Sequence, residues 1–264
     1  MSENRLFAYI DILGFKEMVK NGKDNRVRDK LKRFVGNNST SINTDFETIN
    51  FSDTIIFYAK QVGFDQQLFD EMTHITQMFV IEMLEYEIPL LGVITYGELN
   101  IEVEEKSKIK MFWGQGFIDA YDAEKTENII GLFILPQALK EYKSISVLED
   151  CYPEKYYVKY DDRVLINLFP CIAKVGEAFT LRDFIDDDDP QILEEIKAYF
   201  FLKESVNKFT GKIRDKYKNT LRLADKFLGE RLLTEMQEIY NNIDEYIPEY
   251  QDLHNEDIIQ DDNT

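Results

Sequence analysis

Two aspartates stand inside apolar, aromatic segments of this 264-residue chain: Asp11 in FAYIDILGF (7–15) and Asp53 in FSDTIIF (51–57). Both segments have the pattern of buried strands, where a carboxylate is costly unless a cation meets it. If the two strands are neighbours, the carboxylates converge on one point, an arrangement that can hold a pair of Mg²⁺ or Mn²⁺ ions over a triphosphate. A lone strand-end aspartate is more often a turn residue or a helix cap. The two motifs together favour a metal-dependent nucleotide site.

The turn that follows Asp11 is a candidate phosphate site. Gly14 permits a close approach of the backbone, and the amides of Leu13, Gly14 and Phe15 precede a predicted helix, whose N-terminus suits an anion. Ser52 shares the tight turn of Asp53, so it is also a substrate-binding candidate.

The hydrophobic pattern predicts a strand, helix, strand, strand, helix, strand order, followed by a further strand, helix and strand. This order indicates an α+β sheet with helices on one face. The predicted strands are 5–11, 45–51, 54–60, 90–97, 109–113 and 129–135. The predicted helices are 15–35, 66–86 and one that opens at 114–116.

The second half of the chain is less regular. Short strands are expected at 156–160 and 164–168. The acidic run 186–189 before Pro190 predicts a helix start with Asp189 as N-cap, with an acidic metal site as the alternative. One or two long helices follow over 190–240, broken near Gly211 or Gly229. The expected division is a catalytic domain at 1–185, a helical extension at 186–248 and a loose acidic tail at 249–264.

Composition limits the partners. The net charge of −19 disfavours sequence-independent nucleic-acid binding, so phosphate chemistry on this chain must be metal-borne. No apolar stretch approaches the roughly 20 residues that span a bilayer, and the N-terminus lacks a signal-peptide pattern. Cys151 and Cys171 form no metal-ligand spacing and are expected to be core thiols. A reducing cytoplasm is the expected compartment, with no membrane partner.

Four segments together resemble the nucleotidyl cyclase fold over about residues 5–170: FAYIDILGF, FSDTIIF, LGVITYGEL and WGQGFIDAYDAE. The fold is a ferredoxin-like, palm-type sheet, and the similarity is greatest to the bacterial antiphage Pycsar group, which makes cyclic UMP or cyclic CMP. The resemblance implies that Asp11, Asp53 and the carbonyl of Ile12 bind two divalent cations, Mn²⁺ or Mg²⁺. It also implies a nucleoside triphosphate substrate, a homodimer with its pocket between subunits, and a product read by a separate effector.

Departures from the purine cyclases bear on the substrate. Ile49 and Met111 stand where adenylate and guanylate cyclases read the purine with polar groups, and neither can do so. Ile118 and Asp122 stand where those enzymes carry Asn and Arg. The pattern resembles the pyrimidine group, with UTP favoured over CTP on the family's account.

One departure affects activity itself. Leu91 stands where many relatives have an Arg before Gly92. If that Arg serves the substrate, a basic residue must replace it, and the candidates are Lys16, Lys110, Lys159 and Arg163.

Three hypotheses therefore remain. The first is a pyrimidine nucleotide cyclase; the second is a degenerate cyclase-like domain that binds a nucleotide or a partner without turnover. The third is a palm-type enzyme that joins nucleotides between molecules, which the acidic surface disfavours. Trp113 is expected to be a buried strand-end aromatic, with base stacking as the alternative. Glu98 and Glu124 are expected to be structural or surface carboxylates, with a supporting role at the metal site as the alternative.

Overall fold

A computed structural model describes residues 2–22, 24–37, 45–104, 110–142, 157–160, 163–175, 179–185 and 190–246. Its strands are β1 (Asn4–Ile12), β2 (Phe46–Phe51), β3 (Thr54–Ala59), β4 (Leu90–Glu98), β5 (Asn100–Val103), β6 (Lys110–Trp113), β7 (Gly131–Ile134), β8 (Tyr157–Tyr160) and β9 (Arg163–Ile166). Its helices are α1 (Phe15–Lys20), α2 (Asp24–Asn37), α3 (Gln66–Glu85), α4 (Gln115–Thr126), α5 (Pro136–Glu141), α6 (Pro170–Ala173), α7 (Leu181–Ile185), α8 (Pro190–Lys208), α9 (Gly211–Asn241) and α10 (Ile243–Tyr246).

Seven strands form one mixed sheet in the order β2-β3-β1-β4-β7-β9-β8, while β5 and β6 form a separate hairpin. β1 lies between β3 and β4 and is antiparallel to both, and β4 pairs in parallel with β7. Residues 6–10 of β1 are buried, as their unbroken apolar sequence predicts for a central strand. The α+β architecture expected from the sequence is confirmed.

Alternate residues of β1 point to two apolar cores. On one face, Leu6, Ala8 and Ile10 belong to the larger core, which takes in side chains of α2, α3, α8 and α9. The ring of Phe79 in α3 lies 4.7 Å from Phe34 and so joins α2 to this core. On the other face, Phe7 and Tyr9 belong to a smaller core that includes α4. The larger helices therefore cover one face, and α4 covers part of the other.

The predicted helix 15–35 is wrong in its continuity. α1 ends at Lys20, and Gly22 takes a left-handed conformation with φ 68° while its N–H donates to the carbonyl of Val19 at 3.0 Å. A glycine in this conformation after the last turn is a common helix end. The chain then restarts as α2, which leaves the predicted apolar stripe divided between two helices.

Both predicted breaks in the C-terminal helices occur. α8 ends at Lys208 and α9 begins at Gly211, and Gly229 interrupts α9 with φ 76° and ψ 165°. α8 and the part of α9 before Gly229 form a helical hairpin, and Phe200 of α8 stacks on Tyr240, which lies beyond this interruption, at 4.0 Å between ring centroids. Buried residues of both helices belong to the same core as the central sheet. Residues 186–189, 249–264 and Cys151 lie outside the described residues, and so do the expectations that concern them.

The described part of the chain contains no helix that combines the length and the apolar character needed to cross a bilayer.

Candidate functional site

Asp11 and Asp53 lie at the same end of neighbouring strands. In the β1–β3 register Asp11 is opposite Thr54, and the N–H of Ile12 donates to the carbonyl oxygen of Asp53 at 2.9 Å. The link between β2 and β3 is tight because Ser52 adopts a left-handed φ of 57°. Asp53 is thereby held beside the end of β1, as the hairpin prediction requires.

Asp11 shares its face of the sheet with Tyr9 and Phe7, because side chains alternate along a strand. This is the face that α4 covers: Tyr9 packs edge-to-face on Phe117 at 5.7 Å and on Tyr121 at 6.1 Å. The start of α4 lies directly on β4, since a Cβ at Gly116 would come within 2.7 Å of the backbone nitrogen of Glu98. This close contact between α4 and β4 determines how near α4 lies to the side chain of Asp11.

Glu124, on the last turns of α4, completes what we call the acidic cluster: Asp11, Asp53 and Glu124. Burial raises the pKa of Asp11 to about 7, and the negative charges of Glu124 and Asp53 add to the effect. Burial also raises the pKa of Glu124, whose side chain is 8% exposed. The three carboxylates therefore repel one another in a position with restricted access to water, and a cation would relieve that repulsion.

A lysine from the C-terminal helix α9 faces this cluster. Lys216 is half-buried, and burial lowers its pKa while Glu124, Asp11 and Glu127 oppose the change. Two hydrogen bonds fix this part of α9 against the residues before β7. The N–H of Ile130 donates to the hydroxyl of Thr220 at 2.8 Å, and the amide of Asn219 donates to the carbonyl of Asn128 at 3.3 Å.

The four basic residues suggested as replacements for an Arg at position 91 are paired with other carboxylates or exposed to solvent. Lys110 forms an ion pair of 2.6 Å with Glu47, and Arg163 forms one with the buried Glu127. Lys16 and Lys159 are exposed. The sequence did not single out Lys216 at all.

Leu91 itself is opposite Asp11 in the β1–β4 register and only 1% exposed. The residue that departs from the cyclase pattern is thus a direct strand neighbour of the first aspartate. Because directly opposite residues of paired strands point to the same face, Leu91 supplies an apolar wall beside the Asp11 carboxylate.

The other predicted site residues lie in several different places in the fold. Ile49 packs against the smaller core on the Asp11 side of the sheet, whereas Met111 and Ser52 are exposed. Leu13 and Gly14 line a separate cavity of about 460 Å³ between the start of α1 and the α8–α9 hairpin. Phe15 packs against the larger core.

The predicted phosphate turn offers fewer free amides than the sequence suggested. The N–H of Leu13 donates to the carbonyl of Pro89 at 3.0 Å, and that of Ile12 is taken by Asp53. α1 has only six residues and carries Glu17 in its first turn, which disfavours an anion there.

The donor set fits a hard divalent cation. Among the described residues no three His, Cys, Asp or Glu side chains form a ready-made metal site. Two carboxylates and a nearby backbone carbonyl are nevertheless the oxygen ligands that Mg²⁺ and Mn²⁺ prefer, and substrate phosphates usually complete their coordination. The repulsion that remains within the acidic cluster beside Lys216 is what such a cation would offset.

A group of apolar side chains is exposed on α4, β6 and the β2–β3 turn. Trp113 is 49% exposed, so the expectation of a buried aromatic there is wrong. Ile118 and Asp122 lie exposed on α4, and Glu98 accepts a hydrogen bond from the N–H of Gln115 at 3.3 Å, in line with a structural role. The exposed apolar members are Phe51, Met111, Trp113, Ile118 and Tyr121.

No protein-family profile and no curated protein matches the chain. Solved structures of nucleotidyl cyclase domains do. The catalytic core of a rhodopsin-guanylyl cyclase with converted specificity, in complex with ATPalphaS, has 13% identity and a TM-score of 0.45 over 63% of this chain and 96% of its own. The guanylate cyclase domain of RhGC from Catenaria anguillulae in complex with GTP has 12% identity and a TM-score of 0.44 over 63% and 97%. The adenylyl cyclase CyaB from P. aeruginosa has 11% identity and a TM-score of 0.40 over 63% and 93%. Similarity at this level concerns the fold alone.

Proposed function

We propose that this protein is a metal-dependent nucleotidyl cyclase that acts on a pyrimidine nucleoside triphosphate, with UTP favoured over CTP. The 3′-hydroxyl attacks the α-phosphorus of the same molecule, a new phosphodiester bond forms, and pyrophosphate leaves with the electron pair of the broken P–O bond. The observation that carries the proposal is the juxtaposition of Asp11 and Asp53 at the ends of paired strands.

Asp11 and Asp53 would hold two divalent cations, Mn²⁺ or Mg²⁺, with the carbonyl of Ile12 as a further ligand. When bound, these cations neutralise the triphosphate and lower the pKa of the attacking hydroxyl. The protein contributes position: the β1–β3 register fixes both carboxylates, and α4 limits the access of water to Asp11. Alignment and charge stabilisation account for most of the catalysis in phosphoryl transfer.

The preference for a pyrimidine rests on Ile49 and Met111. Neither side chain has a hydrogen-bonding group that could read the edge of a purine. Ile49 packs among apolar residues, and Met111 lies exposed on β6.

A second copy of the chain is the proposed partner. Phe51, Met111, Trp113, Ile118 and Tyr121 expose apolar surface beside the site, and a homodimer would bury it. We also place the enzyme in the cytoplasm and assign it to antiphage signalling, with the cyclic nucleotide read by a separate effector.

The decisive experiment is to incubate the purified chain with Mn²⁺ and each of the four ribonucleoside triphosphates, and to identify the products by mass. A single cyclic pyrimidine monophosphate supports the proposal and determines the base. Asp11→Ala and Asp53→Ala should each abolish the product, whereas Asp29→Ala, which removes an exposed carboxylate of α2 on the opposite face of the sheet, should not. Undiminished product from both aspartate variants would exclude this mechanism.

The alternative is a cyclase-like domain that binds nucleotide without turnover. It is favoured by Leu91, which places an apolar, fully covered side chain next to Asp11 where a cation would serve the substrate. This alternative predicts that a nucleoside triphosphate raises the unfolding temperature while no pyrophosphate is released.

A further inference from the structure

We infer that Lys216 is a substrate-binding residue, and that the C-terminal helix α9 brings its ammonium group to the triphosphate held at Asp11 and Asp53. The inference rests on the proposed function and extends it. It makes α9 part of the nucleotide site of the same chain and gives the triphosphate a cation from the protein.

The first support is the anchoring of α9 at the relevant end of the sheet. Thr220 is 3% exposed, and its hydroxyl accepts from the N–H of Ile130 at 2.8 Å. Ile130 directly precedes Gly131, which pairs with Leu91, and Leu91 pairs with Asp11. The anchor therefore lies two strands from Asp11, at the same end of the sheet.

The second support is the direction in which Lys216 projects. It precedes Thr220 by one helical turn, and the Thr220 hydroxyl donates to its carbonyl at 2.8 Å. Residues four apart lie on the same side of a helix, so Lys216 and the anchored Thr220 face the sheet together. Tyr217 is 1% exposed and Lys218 is exposed. This turn of α9 therefore has a buried side and a side that faces solvent.

The third support is electrostatic. Glu124, Asp11 and Glu127 all attract Lys216. Glu127 is already paired with Arg163, so the attraction that remains for Lys216 comes chiefly from the acidic cluster. Half-burial of Lys216 costs free energy because its ammonium group loses contact with water, and the attraction of the acidic cluster offsets part of that cost. Because Asp11 is one of the two carboxylates proposed to hold the cations, the ammonium group of Lys216 lies near the region that phosphate oxygens would occupy.

The chemistry suits a polyphosphate rather than a nucleobase. Lysine carries a compact positive charge on a flexible stem with three donors and commonly contacts phosphates as a point charge. Leu91, Tyr9 and the aromatic side chains of α4 provide apolar walls near Asp11. Lys216 therefore adds selectivity for the charge of the triphosphate and does not distinguish the base.

The test uses the full chain with Mn²⁺ and measures by calorimetry the affinity for UTP, in its 3′-deoxy form so that it cannot cyclise, and for UMP; product formation is measured separately with UTP itself. The variants are Lys216→Met, which keeps the length of the side chain, Lys216→Arg, which keeps its charge, and Lys218→Met as the matched control on the exposed side of α9. Lys216→Gln is a second neutral variant for the case in which Lys216→Met does not fold.

We expect Lys216→Met to weaken UTP binding about 10- to 100-fold, as the loss of a charged hydrogen bond does. UMP binding should change much less, so the ratio of UTP to UMP affinity should fall. Lys216→Arg should retain most of the affinity, and Lys218→Met should match the wild type. A role for Lys216 in folding alone would not change this ratio.

Two results would overturn the inference while the proposed function stands: a wild type that cyclises UTP with a Lys216→Met variant of equal affinity, or a variant that binds UTP more tightly. The second result would mean that Lys216 competes with the metal for the acidic cluster. A wild type that neither binds nor cyclises any of the four triphosphates overturns the proposed function, and with it this inference.

Discussion

Replacing Asp11 by Asn should stabilise the folded protein, and the gain should grow with pH. In the unfolded chain the carboxyl ionises with a pKa near 3.8, whereas burial and the charges of Glu124 and Asp53 raise the pKa to about 7 in the folded protein. Between these values the folded state binds more protons than the unfolded state, so the contribution of Asp11 to stability falls as the pH rises. Asn has the same shape and never ionises.

The magnitude follows from the two pKa values. Each pH unit between 3.8 and about 7 costs the folded wild type up to about 1.4 kcal/mol, which sums to an upper limit of about 4 kcal/mol above pH 7. Asp11 keeps some contact with solvent, and screening reduces the figure. A stabilisation of about 2 kcal/mol by Asp11→Asn at pH 8, and less than half of that at pH 5, is the working expectation.

The assay is urea denaturation of the wild type and of Asp11→Asn from pH 5 to pH 8, with a chelator present. Asp122→Asn, which removes an exposed carboxylate of α4, controls for the change in net charge. Adding Mn²⁺ at pH 8 should stabilise the wild type and leave Asp11→Asn nearly unchanged. If the stability difference between wild type and Asp11→Asn stays constant over this range, or if the Asn variant is the less stable at pH 8, the acidic cluster is not arranged as described.

Three further predictions concern the site and its support. Glu124→Gln should lower the pKa of Asp11, because it removes a neighbouring charge, and should move the half-maximal pH for Mn²⁺-dependent product formation to lower pH. Glu195→Gln should destabilise the protein by about 1–3 kcal/mol in urea, since each oxygen of the fully buried carboxyl group accepts a backbone N–H bond of 2.8 Å at the start of α6, and Gln replaces one of these acceptors by an NH2 donor. Gly92→Ala should prevent folding to the native state, as judged by circular dichroism and solubility, because the new Cβ would lie 2.3 Å from a main-chain oxygen of β1; Gly36→Ala, in open space on α2, is the control.

The first half of the candidate site could be predicted from the sequence. The motifs around Asp11 and Asp53 are local, and each combines an apolar strand pattern with one costly carboxylate. The apolar pattern predicts the strand, and the cost of placing a carboxylate in it predicts a cation beside that carboxylate. The adjacency of β1 and β3 then follows from the tight hairpin at Ser52 and from the pairing that the strands require.

The second half could not be predicted in this way. Glu124 and Lys216 come from helices whose amphipathic pattern predicts that one side is buried but not which strand end it meets. Lys216 is more than 200 residues from Asp11 along the chain, and long-range hydrogen bonds such as that between Thr220 and Ile130 fix its place. The break at Gly22 could not be predicted either, because the apolar spacing continues across it although the helical backbone ends there.

The carboxylates at the surface and those of the acidic cluster are in different electrostatic environments. Across the surface, carboxylates are mostly solvated, and pairs such as Lys110–Glu47 and Arg163–Glu127 neutralise several of those close to the sheet. In the cluster, Asp11 and Glu124 face Lys216, and Glu124 is also attracted by Lys125. In this chain of net charge −19, the folded state therefore keeps the three carboxylates of the acidic cluster close together, and the repulsion between them costs stability. A divalent cation that bound there would gain affinity from the repulsion that it relieves.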